Sequence, residues 1–274
     1  MGFIELSKKA FKHPENIGEM EFAGLAIDIT DTITLCGQKG SGKSYLASVL
    51  ADSYPSVVFW DSRWERFTAQ DKKAQSTKAL QMPDKWVTAE TPQELYEKLL
   101  QGKTHVIYHP APLQIGKRSQ KDMIAEFNKI SEIIFNYGDT TFFIDEADQI
   151  MDTYHMPEGM FNLLQYGKHC NVGTICITRR LQHLHTSIAR LSSLLIFFRL
   201  SAKDFHYISE FLIEPGDEQQ ESEDQENYER KVIDKNVWLN NMRKEITHLP
   251  DRYFYTFDGK DMTKYKPVPE VIKS

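Results

Sequence analysis

The chain has no apolar run near the ~18 residues that a membrane span requires. Its longest, Leu194–Phe198, is far too short, and a soluble protein is expected. Cysteine is scarce. Cys36, Cys170 and Cys176 are odd in number and lack CxxC spacing, which argues against a disulfide framework and fits a reducing compartment. The opening MGFIELSKKAFKHPENIG has no signal-peptide core, and Leu6 stands where a myristoylation site needs Ser or Thr. The histidines form no HExxH, and His169, Cys170, Cys176, His183 and His185 lack zinc-site spacing. No G-x-S-x-G nucleophile elbow occurs, and residues 37–44 carry no G-x-G-x-x-G dinucleotide fingerprint.

Positive charge is not in excess either. The formal net charge is -6, so the chain is not a polycation that coats nucleic acid, although a local basic channel remains open to it. The acid is concentrated. Residues 217–229, DEQQESEDQENYE, hold seven acids and no base, and without them the charge would be -6 + 7, about +1. This stretch reads as a solvated insertion, with a DNA mimic or docking tail as the second reading.

What is present is a regular alternation. TITLC (32–36), SVVFWD (56–61), HVIYH (105–109), TTFFID (140–145), GTICIT (173–178) and LLIFF (194–198) read as strands. Residues 44–54, 91–101, 121–137, 158–167, 202–213 and 228–245 read as helices, and RYFYTFDGKDMTKY (252–265) as a hairpin turning at Asp258-Gly259. The pattern predicts an α/β fold with a mainly parallel central sheet flanked by helices. A single domain over 1–274 is expected. Its core spans about 30–213, the acidic insertion 216–230, and a C-terminal helix and hairpin 231–274.

Gly37-Gln38-Lys39-Gly40-Ser41-Gly42-Lys43-Ser44 fits G-x-x-x-x-G-K-[ST] at every fixed position, between a strand and a helix. Glycines let the backbone turn its N–H groups onto a polyphosphate, and the helix start adds positive potential. Lys43 is expected on the β and γ phosphates and Ser44 on Mg²⁺, with Tyr45 following in the same loop. The ligand expected here is ATP.

A second strand ends in Asp145-Glu146. Asp145 is a candidate metal ligand, and Glu146 a candidate base for the attacking water. Helix capping by Asp145-Glu146-Ala147-Asp148 is the simpler competing reading. In chain order HVIYH lies between the phosphate loop and the acid strand. That suggests a P-loop NTPase of the additional-strand, catalytic-glutamate type.

The stretch 166–208 contains Gly167-Lys168-His169 before a strand, Thr178-Arg179-Arg180 at that strand's end, and Phe198-Arg199-Leu200 after the next strand. Over roughly residues 30–213 this resembles the FtsK–HerA superfamily of DNA-pumping ATPases, and within it the viral genome-packaging ATPases. The resemblance implies an ATP hydrolase working as a homo-oligomeric ring, a pentamer or hexamer that in some cases assembles only with a partner or nucleotide. It also implies double-stranded DNA as cargo, a capsid or portal-vertex protein as partner, and a location in host cytoplasm or at a virion vertex. The family carries glutamine, near the γ-phosphate, where this chain has Arg179. The resemblance further implies a trans-acting basic residue, for which Arg180, Arg190 and Lys168 are candidates. A HerA-like helicase or plasmid-transfer ATPase, and a nucleotide-dependent assembly or switch protein that binds no DNA, stand as alternatives.

A pump needs basic groups that grip any backbone. Lys117, Arg118 and Lys121 in one loop, and Arg63 and Arg66 in another with Trp64 and Phe67 interleaved, are the candidates.

Overall fold

The computed structural model describes residues 20–22, 25–62, 85–110, 119–209, 237–259 and 262–265. Arg63, Arg66, Lys117, Arg118 and the acidic stretch 217–229 lie outside the described residues.

A short hairpin, β1 (Met20–Phe22) and β2 (Leu25–Ile27), leads into β3 (Thr32–Cys36) and α1 (Lys43–Ser53). β4 (Val57–Trp60), β5 (Trp86–Ala89), α2 (Pro92–Leu100) and β6 (His105–Tyr108) follow. Then come α3 (Gln120–Tyr137), β7 (Thr140–Ile144), α4 (Glu158–Tyr166) and β8 (Val172–Thr178). The chain continues through α5 (Thr186–Leu191), β9 (Leu194–Phe197) and α6 (Ala202–Ser209). After a helix over 237–247 it closes on β10 (Phe254–Phe257) and β11 (Met262–Tyr265).

Nine of these strands form one sheet, in the order β11-β10-β9-β3-β8-β7-β4-β6-β5. Every pairing from β9 to β5 is parallel, and β10 runs antiparallel to both β9 and β11. The expected C-terminal hairpin is therefore present, and it extends the sheet past β9. The strand between β3 and β7 is β8. An additional strand therefore separates the phosphate-loop strand from the acid strand, as expected, whereas β6, which lies between them in chain order, is on the far side of β4. Helical crossovers, not order of synthesis, set which strands become neighbours. β5, the β1–β2 hairpin and α5 were not foreseen.

Period-two alternation divides the sheet into two apolar faces. Ile33, Leu35, Val57, Phe59, Phe143, Ile175 and Ile177 pack with α1, through Leu46, Ala47 and Leu50. Val58, Trp60, Phe142, Ile144 and Cys176 pack on the other face with α2, α3, α4 and α5. Phe142 and Phe143 are neighbours pointing in opposite directions, and both are fully buried. Each contributes about 1.5–3 kcal/mol relative to exposure.

Local chemistry sets the helix starts. The Thr91 hydroxyl accepts the N–H of Glu94, with Pro92 opening α2. Ser119 and Asp122 form a reciprocal capping box on α3. The start of α1 differs. Its N-cap is Gly42, and no side chain there accepts a hydrogen bond from the first-turn N–H groups.

Candidate nucleotide-binding site

The sheet order brings three strand ends together. β3 and β8 are in parallel register with Cys36 opposite Thr178, and β7 pairs with β8 so that Ile144 lies opposite Cys176. Gly37, Asp145 and Arg179, each just past one of these strands, therefore share the carboxyl edge of the sheet. That edge is where open α/β sheets bind ligands.

The phosphate loop is tightly held. Gln38 N–H donates to the Arg199 carbonyl at 2.8 Å, and Arg252 N–H donates to the Ser41 carbonyl at 2.8 Å. The Ser41 hydroxyl closes the turn onto the Gln38 carbonyl at 2.8 Å. Gly42 sits at φ +112, and a Cβ there would stand 3.0 Å from Arg252 Cα, so the position requires glycine on both conformational and steric grounds. Lys39 and Gly40 are exposed at the loop tip, and Ser44 is exposed on the first turn of α1. Tyr45 lies under the Arg252 guanidinium, 5.1 Å from ring centroid to charge centre.

Lys43 is buried, and its ammonium donates to the Gly37 carbonyl at 2.5 Å and the Gln38 carbonyl at 2.8 Å. Burial pushes its pKa down, while the nearby carboxylates of Asp145, Glu146 and Asp148 pull it up. The uncapped helix start, the lysine and the curled backbone together make a polyanion cradle.

Asp145 and Glu146 are nearly buried at the end of β7. Glu146 adopts a left-handed backbone conformation, φ 52 and ψ 47, uncommon for a non-glycine residue and concentrated at functional sites. Its carboxylate Oε1 accepts from Arg179 Nε at 3.2 Å. Asp145-Glu146 do not simply cap a helix, since only a short 3₁₀ turn, Ala147–Gln149, follows and Glu146 gives it no side-chain cap. Among the described residues no cluster of three or more His, Cys, Asp or Glu side chains could hold a metal. This set still suits Mg²⁺, which takes one or two protein oxygens and completes its shell with phosphate and water.

A cavity of 450 Å³ adjoins the loop, lined by Gln38, Lys39, Asp148, Arg179, Arg180 and Asp204 among others. Arg180 is exposed on it. Arg190 ends α5 elsewhere. The next residues, Ser192 and Ser193, bond to Thr34 and Thr32, which places Arg190 toward the start of β3, away from the phosphate loop. Lys168, in the turn before β8, lies toward that same far end. Lys121 is exposed in the first turn of α3.

Sequence reasoning missed the brace formed by Arg199, Asp251 and Arg252. Arg199 Nη2 pairs with Asp251 Oδ1 at 3.0 Å, fastening the end of β9 to the segment that supports Ser41. No spacing rule links residues so far apart in the chain. Only the Phe-Arg-Leu signature at 198–200 marked one of them.

Fold and site together define a P-loop NTPase. Residues 30–184, more than half of the chain, match the family described as AAA domain, and the chain belongs to that family. No curated protein sequence matches it. Among solved structures it is similar to the genome packaging NTPase B204 from Sulfolobus turreted icosahedral virus 2. The complex with AMP has a TM-score of 0.58 at 17% identity, over 89% of this chain and 100% of that one. The complex of the same NTPase with ATP-gammaS has a TM-score of 0.56 at 17% identity, with the same coverage. VirB4 of Thermoanaerobacter pseudethanolicus has a TM-score of 0.54 at 11% identity, over 94% of this chain and 98% of that one. The resemblance drawn from the three motifs is met at the level of fold. No helix among the described residues is long and apolar enough to cross a membrane.

Proposed function

We propose that the chain is an ATP-driven DNA translocase, most specifically a genome-packaging ATPase that pumps double-stranded DNA into a viral capsid. The observation that carries this reading is the convergence of the phosphate loop, Asp145-Glu146 and Arg179 on one sheet edge. The similarity to B204, described as a genome packaging NTPase, points the same way.

In this reading N–H groups of the loop other than those of Gln38 and Ser41, which carbonyls hold, bind the triphosphate, and Lys43 leaves the Gly37 and Gln38 carbonyls for the β and γ phosphates. Ser44 and Asp145 would hold Mg²⁺, which when bound neutralises charge on the transferring phosphoryl group. Glu146 orients the attacking water and takes its proton. Arg179 holds Glu146 through their ion pair and governs when the carboxylate is free. A basic residue of a neighbouring copy completes the site, with Arg180, Arg190 and Lys168 as candidates. Lysine lacks the planar fork that makes arginine effective there. One ATPase domain over 1–274, a homo-oligomeric ring of five or six subunits, a capsid or portal-vertex partner, and action in host cytoplasm or at a virion vertex belong to the same proposal.

The test is ATP hydrolysis with and without long double-stranded DNA, beside Glu146→Gln. Stimulation that grows with DNA length and is lost in the variant supports the pump. Glu146-dependent hydrolysis that no nucleic acid alters would instead favour a nucleotide-dependent assembly protein.

A further inference from the structure

A groove with an apolar floor and cationic side chains along it runs from the phosphate loop along α6. Three cavities form it in a row. The first, 630 Å³, lies between α6 and the 237–247 helix. The second, 530 Å³, shares Ala202, Asn240 and Arg243 with it and reaches Gln38. The third is the 450 Å³ cavity of the nucleotide site, which shares Gln38 and Ser201 with the second.

The two walls are amphipathic in a way their core packing explains. Met242, Ile246 and Leu249 turn toward the apolar core, as does Ile208 of α6, while Leu239 and Phe205 pack on the core and also line the first cavity. Asn240, Arg243, Lys244, Thr247 and His248 recur at helical spacing on another side and line the groove. Lys203 and His206 face them from α6. Lys203, Arg243 and Lys244 are exposed, and among the described residues no Asp or Glu lines the first two cavities. Among the described residues none of these three cations is in a salt bridge. These cations have no carboxylate partner among the described residues, and in a chain of net charge -6 such a row is a local departure that suits an anionic partner.

We infer that this groove holds the phosphodiester backbone of a nucleic acid. The cations are strung along two helices instead of converging on one point, which suits a repeating anion better than a single phosphate. Asn240 adds a neutral donor of the kind that contacts phosphate oxygens without reading sequence. The groove also abuts the ATP machinery. Ser201 follows Arg199-Leu200, and the Arg199 carbonyl accepts the N–H of Gln38. A backbone held on α6 thus lies against the element that braces the phosphate loop. This inference rests on the translocase reading and adds a grip distinct from the basic loops at 63–66 and 117–121.

The experiment uses the full chain, a long duplex of random sequence and fluorescence anisotropy. The triple variant Lys203→Ala, Arg243→Ala, Lys244→Ala is compared with wild type and with Lys117→Ala, Arg118→Ala, Lys121→Ala. Unchanged basal ATP hydrolysis and circular dichroism certify that the groove variant folds. If all three cations contact phosphate, raising salt from about 50 to about 200 mM costs the wild type about 40-fold more affinity than the variant, since each contact adds about 0.9 to the salt slope. A variant that binds duplex with the wild-type affinity and slope overturns the groove while leaving the translocase reading intact. A wild type that binds no duplex at any salt, and whose hydrolysis no DNA stimulates, overturns both. Polyglutamate that displaces the duplex at equal charge concentration would reassign the groove to an acidic protein.

Discussion

Arg179→Gln puts into this chain the glutamine that the resembled superfamily carries, and its effect can be worked from the Glu146 contact. Arg179 Nε stands 3.2 Å from Glu146 Oε1, with the glutamate side chain 11% exposed and the arginine 37% exposed. At that separation the Coulomb energy is about 1.3 kcal/mol in a water-like dielectric and about 5 kcal/mol at an effective constant near 20. The exposure of Arg179 and ordinary salt bring the useful figure to about 1 kcal/mol. Glu146 must be released by that amount before it can orient water, so removing the pair should raise basal kcat about five-fold with little change in KM. A coupled-enzyme ATPase assay across a salt series is sufficient. Wild-type turnover should rise with salt as the pair is screened, Arg179→Gln should be flat, and the double variant with Glu146→Gln should be inactive. A ten-fold or greater fall in kcat for Arg179→Gln would refute the reasoning. It would mean that the guanidinium acts on the phosphoryl group itself, where losing one donor costs about 10²–10³ in rate.

Three further outcomes are expected. His105 is buried, its Nε2 is 3.0 Å from the Tyr54 carbonyl, and its pKa is lowered to about 4, chiefly by burial. The unfolded chain therefore binds this proton more readily, so stability is full above pH 6.5 and falls by about 3 kcal/mol as pH drops toward 4. Urea titrations should show that loss, and His105→Asn should flatten it. Gly173→Ala would set a Cβ 2.0 Å from the Ile29 carbonyl oxygen, a backbone atom that cannot swing aside. The variant should lose about 3 kcal/mol or more in a thermal melt, and a near-native Tm would contradict this packing. Finally, burial pushes the Cys36 thiol well up and the Cys176 thiol up to about 12, while Cys170 is half-buried. An aromatic disulfide reagent should titrate one thiol in the native protein and three after unfolding.

The parts of the site that lie close together in the chain were legible beforehand. The phosphate loop and Asp145-Glu146 are local patterns whose chemistry demands those residue types, and β3, β7 and β8 are apolar runs too short to be helices. β5 was not legible, because Trp86–Ala89 is a brief edge strand after a polar stretch and depends on β6 for its hydrogen bonds. That an additional strand separates β3 from β7 was legible as a type, but that β8 is that strand was not, because chain order does not encode sheet order. Arg179 was noticed as a departure from glutamine, but its pairing with Glu146 required the β7–β8 register. The groove escaped notice because its walls are two helices with unremarkable composition. Its charge emerges only when Lys203 and Arg243, far apart in sequence, face each other.

The brace beneath the phosphate loop has a consequence for how the protein is made. Ser41 is translated well before Arg252, yet the N–H that fixes its carbonyl belongs to Arg252, and the antiparallel partner of β9 is β10. A nascent chain stalled before residue 250 should therefore fail to retain ATP in a photocrosslinking assay, and one stalled past β11 should capture it. The nucleotide site is thus translated well before the segment that fixes it, which delays competence for ATP until Arg252 and β10 have been made.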